Sequence, residues 1–273
     1  VFESEVLTLD VDGHVATLWL DRPEARNALG RTFWRDLPRA AQAVAGEPSI
    51  RALIVAAKGP HFTVGLDLKE FGGNPFGGDS DASSATANER SFRAVRSMQA
   101  AVSSIADLEV PVIAAVQGYC IGGGVDLICA CDIRLSSIDA TFSVRETKIA
   151  IVADLGTLQR LPKIVGAGHV AELAFTGKDI GAERAREIGL VNSVHGSADE
   201  VLAAAHELAR EIAANSPLAV RGTKAVLAAN DGRTLDEGLD FVARWNALYL
   251  QSNDLKEAMA AFIERRPPEF NGN

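Results

Sequence analysis

The sequence predicts an α/β fold, and three observations carry that prediction. Two continuous apolar runs, 52–57 (ALIVAA) and 110–116 (VPVIAAV), are short enough to be buried parallel strands. Stretches of helical periodicity at 30–45 and 86–108 alternate with them. Strands that alternate with helices form βα units, and hence a sheet covered by helices. Composition agrees, with 47% of the 273 residues apolar and 23% charged. A chain of this length buries roughly 75% of the surface it exposes when unfolded, so a large core needs no crosslinks.

From the N-terminus, 6–9 and 15–20 are short apolar or β-branched runs separated by Asp12-Gly13, a hairpin signal. The helix over 30–45 rests on Phe33, Leu37, Ala41 and Val44, three or four residues apart. After strand 52–57, the stretch 71–85 (FGGNPFGGDSDASSA) reads as a loop, either solvated or a lid over a ligand. The long helix 86–108 and strand 110–116 follow, and 133–136 is a third strand candidate. From about residue 198 the strands stop. Residues 198–215, 217–230, 234–250 and 254–265 each read as amphipathic helices, broken at Ser216-Pro217 and Asp231-Gly232. This divides the chain into an α/β body, 1–197, that holds the ligand site, and a helical region, 198–273.

Several functions are disfavoured at once. The 27 Lys and Arg against 36 Asp and Glu leave a net charge of −9, whereas a nucleic-acid binder normally shows a basic patch. No run approaches the ~18 apolar residues of a membrane span, and the acidic Glu3, Glu5 and Asp10 resemble no signal or transit peptide. Three cysteines cannot build a disulfide framework and fit a reducing, cytoplasmic setting. The histidines (His14, His61, His169, His195, His206) form no pair at metal spacing, and Cys129-x-Cys131 has no second half, so no metal is expected. Phosphate-binding GxxxxGK[ST] and dinucleotide GxGxxG signatures are missing, and Gly78-Asp79-Ser80-Asp81-Ala82 lacks the last glycine of a nucleophile elbow.

The informative stretch is 110–161. After the second buried strand comes Gln117-Gly118-Tyr119-Cys120-Ile121, then Gly122-Gly123-Gly124, then Val125-Asp126-Leu127. Each glycine inside a helix costs roughly 1 kcal/mol, so the triplet belongs at a helix start. There the unpaired N–H groups and the positive dipole end favour an anion or an oxyanion; a tight strand–helix turn is the alternative. His61-Phe62-Thr63-Val64-Gly65-Leu66-Asp67-Leu68 is a second strand end of the same kind, and two such loops could hold one oxygen at the carboxyl edge of the sheet. Three acids follow, at Asp126, Glu146 and Asp154. Taken singly, Asp126 reads as a first-turn acid, Glu146 as a solvated residue and Asp154 as the N-cap of a helix over 155–162. Glu146 follows the strand 141–144, however, and Asp154 sits in the apolar run 149–155. Burial there would raise a carboxyl pKa towards acid–base values.

These residues resemble the crotonase (enoyl-CoA hydratase/isomerase) superfamily. The likeness runs through Asp21-Arg22-Pro23-Glu24-Ala25-Arg26-Asn27-Ala28-Leu29, 62–70, 121–133 and Gly156-Thr157-Leu158-Gln159-Arg160-Leu161-Pro162. The resemblance implies a spiral of ββα turns with a C-terminal helical region for trimerisation, and a homotrimer or a homohexamer made as a dimer of trimers. It implies an acyl-CoA substrate whose thioester oxygen sits between two backbone N–H groups, placed by position on Val64 and Gly123. By the same likeness Gly65, Leu66, Asp67, Leu68 and Gly122 border the substrate and Ala25 lies against CoA, whose phosphates the guanidinium groups of Arg22 and Arg26 could meet. Phe262 and Arg265 match positions that reach a neighbour's adenine in hydratases.

Within the superfamily, hydratases carry two glutamates at the positions of Asp126 and Glu146, and a glycine where Asp154 stands. The third acid makes the sequence more similar to the Δ3,5-Δ2,4-dienoyl-CoA isomerase branch. Moving two double bonds from 3,5 to 2,4 takes a proton from C2 and adds one at C6. Those carbons lie about 5 Å apart in an extended chain, beyond the ~3 Å reach of one carboxylate. Glu146 is therefore expected as the base at C2, Asp154 as the acid at C6, and Asp126 as their support. No metal or redox cofactor is expected, coenzyme A being part of the substrate. Two other readings stay open: an enoyl-CoA hydratase, and a catalytically silent acyl-CoA binder, since fold does not fix function.

Overall fold

Residues 2–71 and 84–273 are described in the computed structural model, and the hairpin and both buried apolar runs lie in one six-stranded sheet. The hairpin β1 (Leu7–Asp12) and β2 (Val15–Leu20) turns at Gly13, whose φ of 57° favours glycine. α1 (Arg31–Ala45) leads to β3 (Ala52–Ala57), parallel to β2, and α2 (Ser84–Ala106) leads to β4 (Val112–Val116), parallel to β3. Pro111 has no N–H for the ladder, so β4 starts after it rather than at residue 110. Next come β5 (Tyr119–Ile121), α3 (Gly123–Cys129), β6 (Ile133–Ser137) and β7 (Thr141–Ser143). They are followed by α4 (Thr157–Arg160), α5 (Ala167–Thr176), β8 (Ile180–Gly181), α6 (Ala182–Glu187) and β9 (Ser193–His195). The main sheet runs β1-β2-β3-β4-β6-β9, and β5-β7-β8 form a small second sheet. Four helices close the chain: α7 (Ala198–Ala213), α8 (Pro217–Ala229), α9 (Leu235–Tyr249) and α10 (Asn253–Glu264).

The continuous apolar character of β3 follows from its two covered faces. Leu53, Val55 and Ala57 join the main core with Phe33 and Leu37 of α1 and Ile105 of α2. Ala52, Ile54 and Ala56 point the other way and meet α7 through Val201, Ala205, Ala209 and Ala213. This four-residue stripe of small side chains makes α7 part of the sheet's cover. α7, the first helix of the region expected from residue 198 onward, therefore packs on the sheet of the body. α8, α9 and α10 begin at capping side chains, Ser216, Thr234 and Ser252, the first at and the second just after an expected break. Their large apolar residues remain outward, with Leu235 at 78% and Phe262 at 82% exposure. Of the loop expected over 71–85, residues 72–83 lie outside the described residues, and Ser84 already opens α2.

Buried Asn27 joins the segment after β2 to the loop after β3, one of the two that will carry the site. Its Oδ1 accepts the Arg22 N–H at 2.8 Å, and its Nδ2 donates to Lys58 O and His61 O at 2.9 and 2.8 Å. Its own carbonyl accepts from Thr63 Oγ1 at 2.6 Å, and its φ of 55° is one that asparagine tolerates better than most side chains. Asn27→Ala removes three hydrogen bonds and leaves buried partners unsatisfied. We expect a loss of roughly 2–4 kcal/mol in urea unfolding. A loss under about 0.5 kcal/mol would show that Asn27 is not what fastens this loop.

Candidate active site

The loop after β3 is clasped on both sides. Thr63 N–H donates to Tyr119 O at 2.8 Å and Ile121 N–H donates to Thr63 O at 3.1 Å, which ties the loop to β5. On the far side Leu29 N–H donates to Gly65 O at 2.8 Å and Asp67 N–H to Leu29 O at 3.1 Å. In such a parallel bridge the bridging residue's own N–H points away from its partner, so the Leu66 N–H turns away from Leu29. It has no acceptor among the described residues. The expectation for Val64 needs correction. Its N–H donates to Arg26 O at 3.2 Å, and the Gly65 N–H donates to Thr63 Oγ1 at 3.0 Å. The open amide of this loop belongs to Leu66.

The glycine triplet begins α3, as predicted, and each glycine meets a different constraint. Gly122 has φ 53° and ψ −116°, and a Cβ there would lie 3.3 Å from Glu146 Oε1. A Cβ on Gly123 would press Leu29 at 3.0 Å, and one on Gly124 would strike the Thr63 methyl at 2.5 Å. The Gly122 N–H donates to Ser143 O at 2.9 Å, while the Gly123 N–H, first in the helix, has no acceptor among the described residues. Gly65 approaches from the other loop. A Cβ on it would lie 2.7 Å from Ile121 O and 3.7 Å from the Gly123 nitrogen.

Next to these amides lies a cavity of about 130 Å³. Glu146 and Asp154 line it together with Leu66, Gly123, Trp34 and Met98. Gly65, Leu68, Gly122 and Val64 also reach it. Asp126 is not part of the lining. It is 1% exposed, and its Oδ1 accepts both the N–H and the Oγ–H of Thr157, at 2.6 and 2.7 Å. Asp126 thus sits behind the cavity wall and fastens the start of α4 to the start of α3. Asp154 is not a helix cap, for the residue capping α4 is Gly156.

Electrostatics follow from this burial. Desolvation pushes the Asp126 carboxyl up to about 6, against the two Thr157 hydrogen bonds that favour its charged form. Glu146 is pushed up to about 7, first by burial and then by the like charge of Asp126, with Asp154 adding less. Its Oε2 is buried and has no hydrogen-bond partner among the described residues. Half-buried Asp154 is also raised by desolvation. Asp126 and Asp154 thus both act on Glu146, and the two acids that reach the cavity both hold their protons more tightly than an exposed carboxyl. Among the described residues, no group of three or more His, Cys, Asp or Glu stands where it could hold a metal ion.

Other expected site residues are placed differently. Arg22 donates to Asp67 Oδ2 at 2.8 Å, and Asp67 Oδ1 accepts from the N–H groups of Lys69 and Glu70, so this pair shapes the loop and lies outside the cavity lining. Ala25 ends a 3₁₀ turn, and exposed Arg26 follows it with φ 53°. Phe262 and Arg265 stand at the end of α10, apart from the residues that line the cavity. Sequence reasoning missed Trp34 and Met98, which point inward from helices read only as core. It also missed the partner of Asp126, although Thr157 lies in the distinctive stretch from Gly156 to Pro162.

The chain is similar to several known proteins. The enoyl-CoA hydratase/isomerase family model matches residues 10–273. The peroxisomal Δ(3,5)-Δ(2,4)-dienoyl-CoA isomerase of Arabidopsis thaliana is 42% identical over 97% of this chain and 96% of its own. The mitochondrial enzyme of that name from Dictyostelium discoideum is 45% identical over 95% of this chain and 88% of its own. Among solved structures, an enoyl-CoA hydratase from Bacillus anthracis superposes with a TM-score of 0.90 at 31% identity, covering 98% of this chain and all of that one.

The buried acids make stability depend on pH. A carboxyl whose folded-state pKa lies above its unfolded value stabilises the fold only while protonated, so stability is lost as pH rises from about 4 through about 6. For Asp126 the gap between 3.8 and about 6 is worth roughly 3 kcal/mol. Asp126→Asn keeps an acceptor for Thr157 and removes the charge. The fall in urea stability between pH 4 and pH 7 should shrink by up to about that amount. The Glu146 titration, read by carbon-13 NMR of labelled carboxyls, should move to lower pH. An unchanged slope and an unmoved Glu146 would show that Asp126 carries no charge felt at the site.

Proposed function

The chain belongs to the enoyl-CoA hydratase/isomerase family, and we propose that it converts 3,5-dienoyl-CoA to 2,4-dienoyl-CoA. One observation carries this reading: Glu146 and Asp154, with pKa values raised by burial, line the same cavity beside two open amides. The names of the Arabidopsis and Dictyostelium relatives support it.

In the proposed reaction the thioester oxygen accepts from Leu66 N–H and Gly123 N–H. Glu146 takes the C2 proton, and the C–H electrons form the C1=C2 bond of an enolate conjugated with C3=C4 and C5=C6, whose charge rests on that oxygen. The charge then returns. C2=C3 and C4=C5 form, and the C5=C6 electrons take a proton from Asp154 to give 2,4-dienoyl-CoA. A donor of the Leu66 or Gly123 kind is worth roughly 3–4 kcal/mol in such chemistry, and the N-terminal end of α3 adds its dipole. The reaction is balanced in protons and electrons, so it calls for no metal or redox cofactor. Asp126 supports Glu146 through charge and holds α4 through Thr157. Hydratases resemble one another in carrying their two acids at the positions of Asp126 and Glu146; here Asp126 lies behind the wall and Asp154 lines the cavity instead, which favours the isomerase.

Surface residues support the rest of this reading. Exposed Arg26 forms no ion pair among the described residues and suits a CoA phosphate, while Arg22 is committed to Asp67. The outward apolar residues of α8 to α10, Leu227, Leu235, Leu248 and Phe262 among them, support a homotrimer or a dimer of trimers, with Phe262 and Arg265 reaching a neighbouring subunit's ligand. The net charge of −9 argues against a nucleic-acid partner. No described helix is long and apolar enough to cross a membrane. Three buried free thiols suit a reducing compartment, for which we propose the cytoplasm.

Absorbance during turnover of a 3,5-dienoyl-CoA tests the reading, because conjugation with the thioester shifts the chromophore to longer wavelength. We expect a rapid rise, reduced by at least about 10²-fold in Glu146→Gln and in Asp154→Asn. Loss of 2-enoyl-CoA absorbance with no such rise would identify a hydratase. Binding without any spectral change would identify a silent acyl-CoA binder.

A further inference from the structure

Glu146 and Asp154 reach the cavity from unlike supports. Glu146 follows β7, which is paired with β5, whereas Asp154 lies in the irregular stretch between the turn Glu146–Ile149 and α4. Helix α2 supplies what the missing ladder does not. Gln99 Nε2 donates to the Asp154 carbonyl oxygen at 2.6 Å, and Gln99 Oε1 accepts from Arg96 Nη1 at 2.7 Å, which fixes the orientation of the amide. One residue on, Leu155 O accepts from Arg160 Nη1 at 3.4 Å, and Arg160 Nη2 donates to Ser103 Oγ at 2.9 Å. Gln99 and Ser103 are four residues apart, on one face of α2. Met98, beside Gln99, lines the cavity.

We infer that Gln99 is a positioning residue for Asp154: it holds the Asp154 backbone from α2 so that the carboxyl stands at the C6 end of the substrate. The inference rests on the reading of Asp154 as the C6 acid. Proton delivery is steep in distance, and a displacement of about 1 Å costs on the order of 10²-fold. A neutral amide suits the task. Lys or Arg at this position would place a positive charge beside Asp154 and favour its ionised form, whereas the acid must carry a proton to C6. A carboxylate at 99 could not donate to the carbonyl at all.

The test separates the two ends of the reaction. Isomerisation is followed by absorbance, and proton loss at C2 by deuterium uptake into recovered 3,5-dienoyl-CoA in heavy water. The enzyme variants are Gln99→Met, Asp154→Asn and the double variant, with thermal unfolding as a check on folding. We expect Gln99→Met to lower kcat for isomerisation by about 10- to 100-fold, with KM and C2 exchange each within about threefold of the parent. Asp154→Asn should show the same pattern more strongly, and adding Gln99→Met to it should cost nothing further. The inference alone is overturned in either of two cases while Asp154→Asn is impaired. One is Gln99→Met isomerising like the parent; the other is its slowing isomerisation and C2 exchange equally. If Asp154→Asn isomerises as fast as the parent, the assignment of Asp154 falls, and the role of Gln99 falls with it.

Discussion

The site depends on how closely the loop after β3 approaches the first turn of α3. A Cβ on Gly65 would sit 2.7 Å from Ile121 O, and one on Gly124 would sit 2.5 Å from the Thr63 methyl. No side chain fits between these segments, so the contact exists only because both contribute glycine. Its consequence is electrostatic. Two amide donors, Leu66 N–H and Gly123 N–H, have no acceptor among the described residues, while the Val64, Gly65, Asp67 and Gly122 amides next to them are paired. Unpaired donors shielded from water are costly, and a fold that keeps two side by side has a use for an oxygen there. Asn27 stiffens the arrangement, because its three side-chain hydrogen bonds tie the backbone at Arg22 to Lys58 and His61, where the loop leaves β3.

Behind those amides, desolvation outweighs every other influence on the acids. Asp126 receives two short hydrogen bonds from Thr157, which alone would lower its pKa, yet burial wins and leaves it at about 6. Its negative charge is the largest like-charge influence on Glu146, which is thereby made a stronger base. The same carboxylate is therefore structural and electrostatic at once. It ties α3 to α4, and it raises the proton affinity of a residue whose Oε1 would lie 3.3 Å from a Cβ on Gly122.

Much of this was legible in the sequence. The strand 52–57 is continuous and apolar because alternate residues face two different helical layers, and that pattern is local. The start of α3 at the glycine triplet was legible for the same reason, since helix interiors disfavour glycine. What failed were features set by distant partners. Whether Val64 or Leu66 offers the open amide depends on which residue bridges Leu29, in a segment ahead of α1, and no local pattern encodes it. The commitments of Arg22 to Asp67 and of Asp126 to Thr157 are likewise contacts between segments remote in sequence. The periodicity of α7 showed an apolar face, but not that the sheet, rather than another helix, would cover it.

The two ends of the proposed chemistry are built with different rigidity, and the difference has a consequence for the family. Ile121 pairs in register with Ser143, so Gly123 and Glu146 each come after a strand of the same small ladder. The oxyanion donor and the C2 base are positioned by backbone hydrogen bonds that do not depend on side-chain identity. Asp154, by contrast, hangs on an irregular segment held by side chains, Gln99 from α2 and Thr157 through Asp126. In the proposed reaction, substitution on that segment would act on proton delivery at C6 and leave the thioester end in place. A fold so divided can host several reactions that share an enolate and differ in how it is consumed.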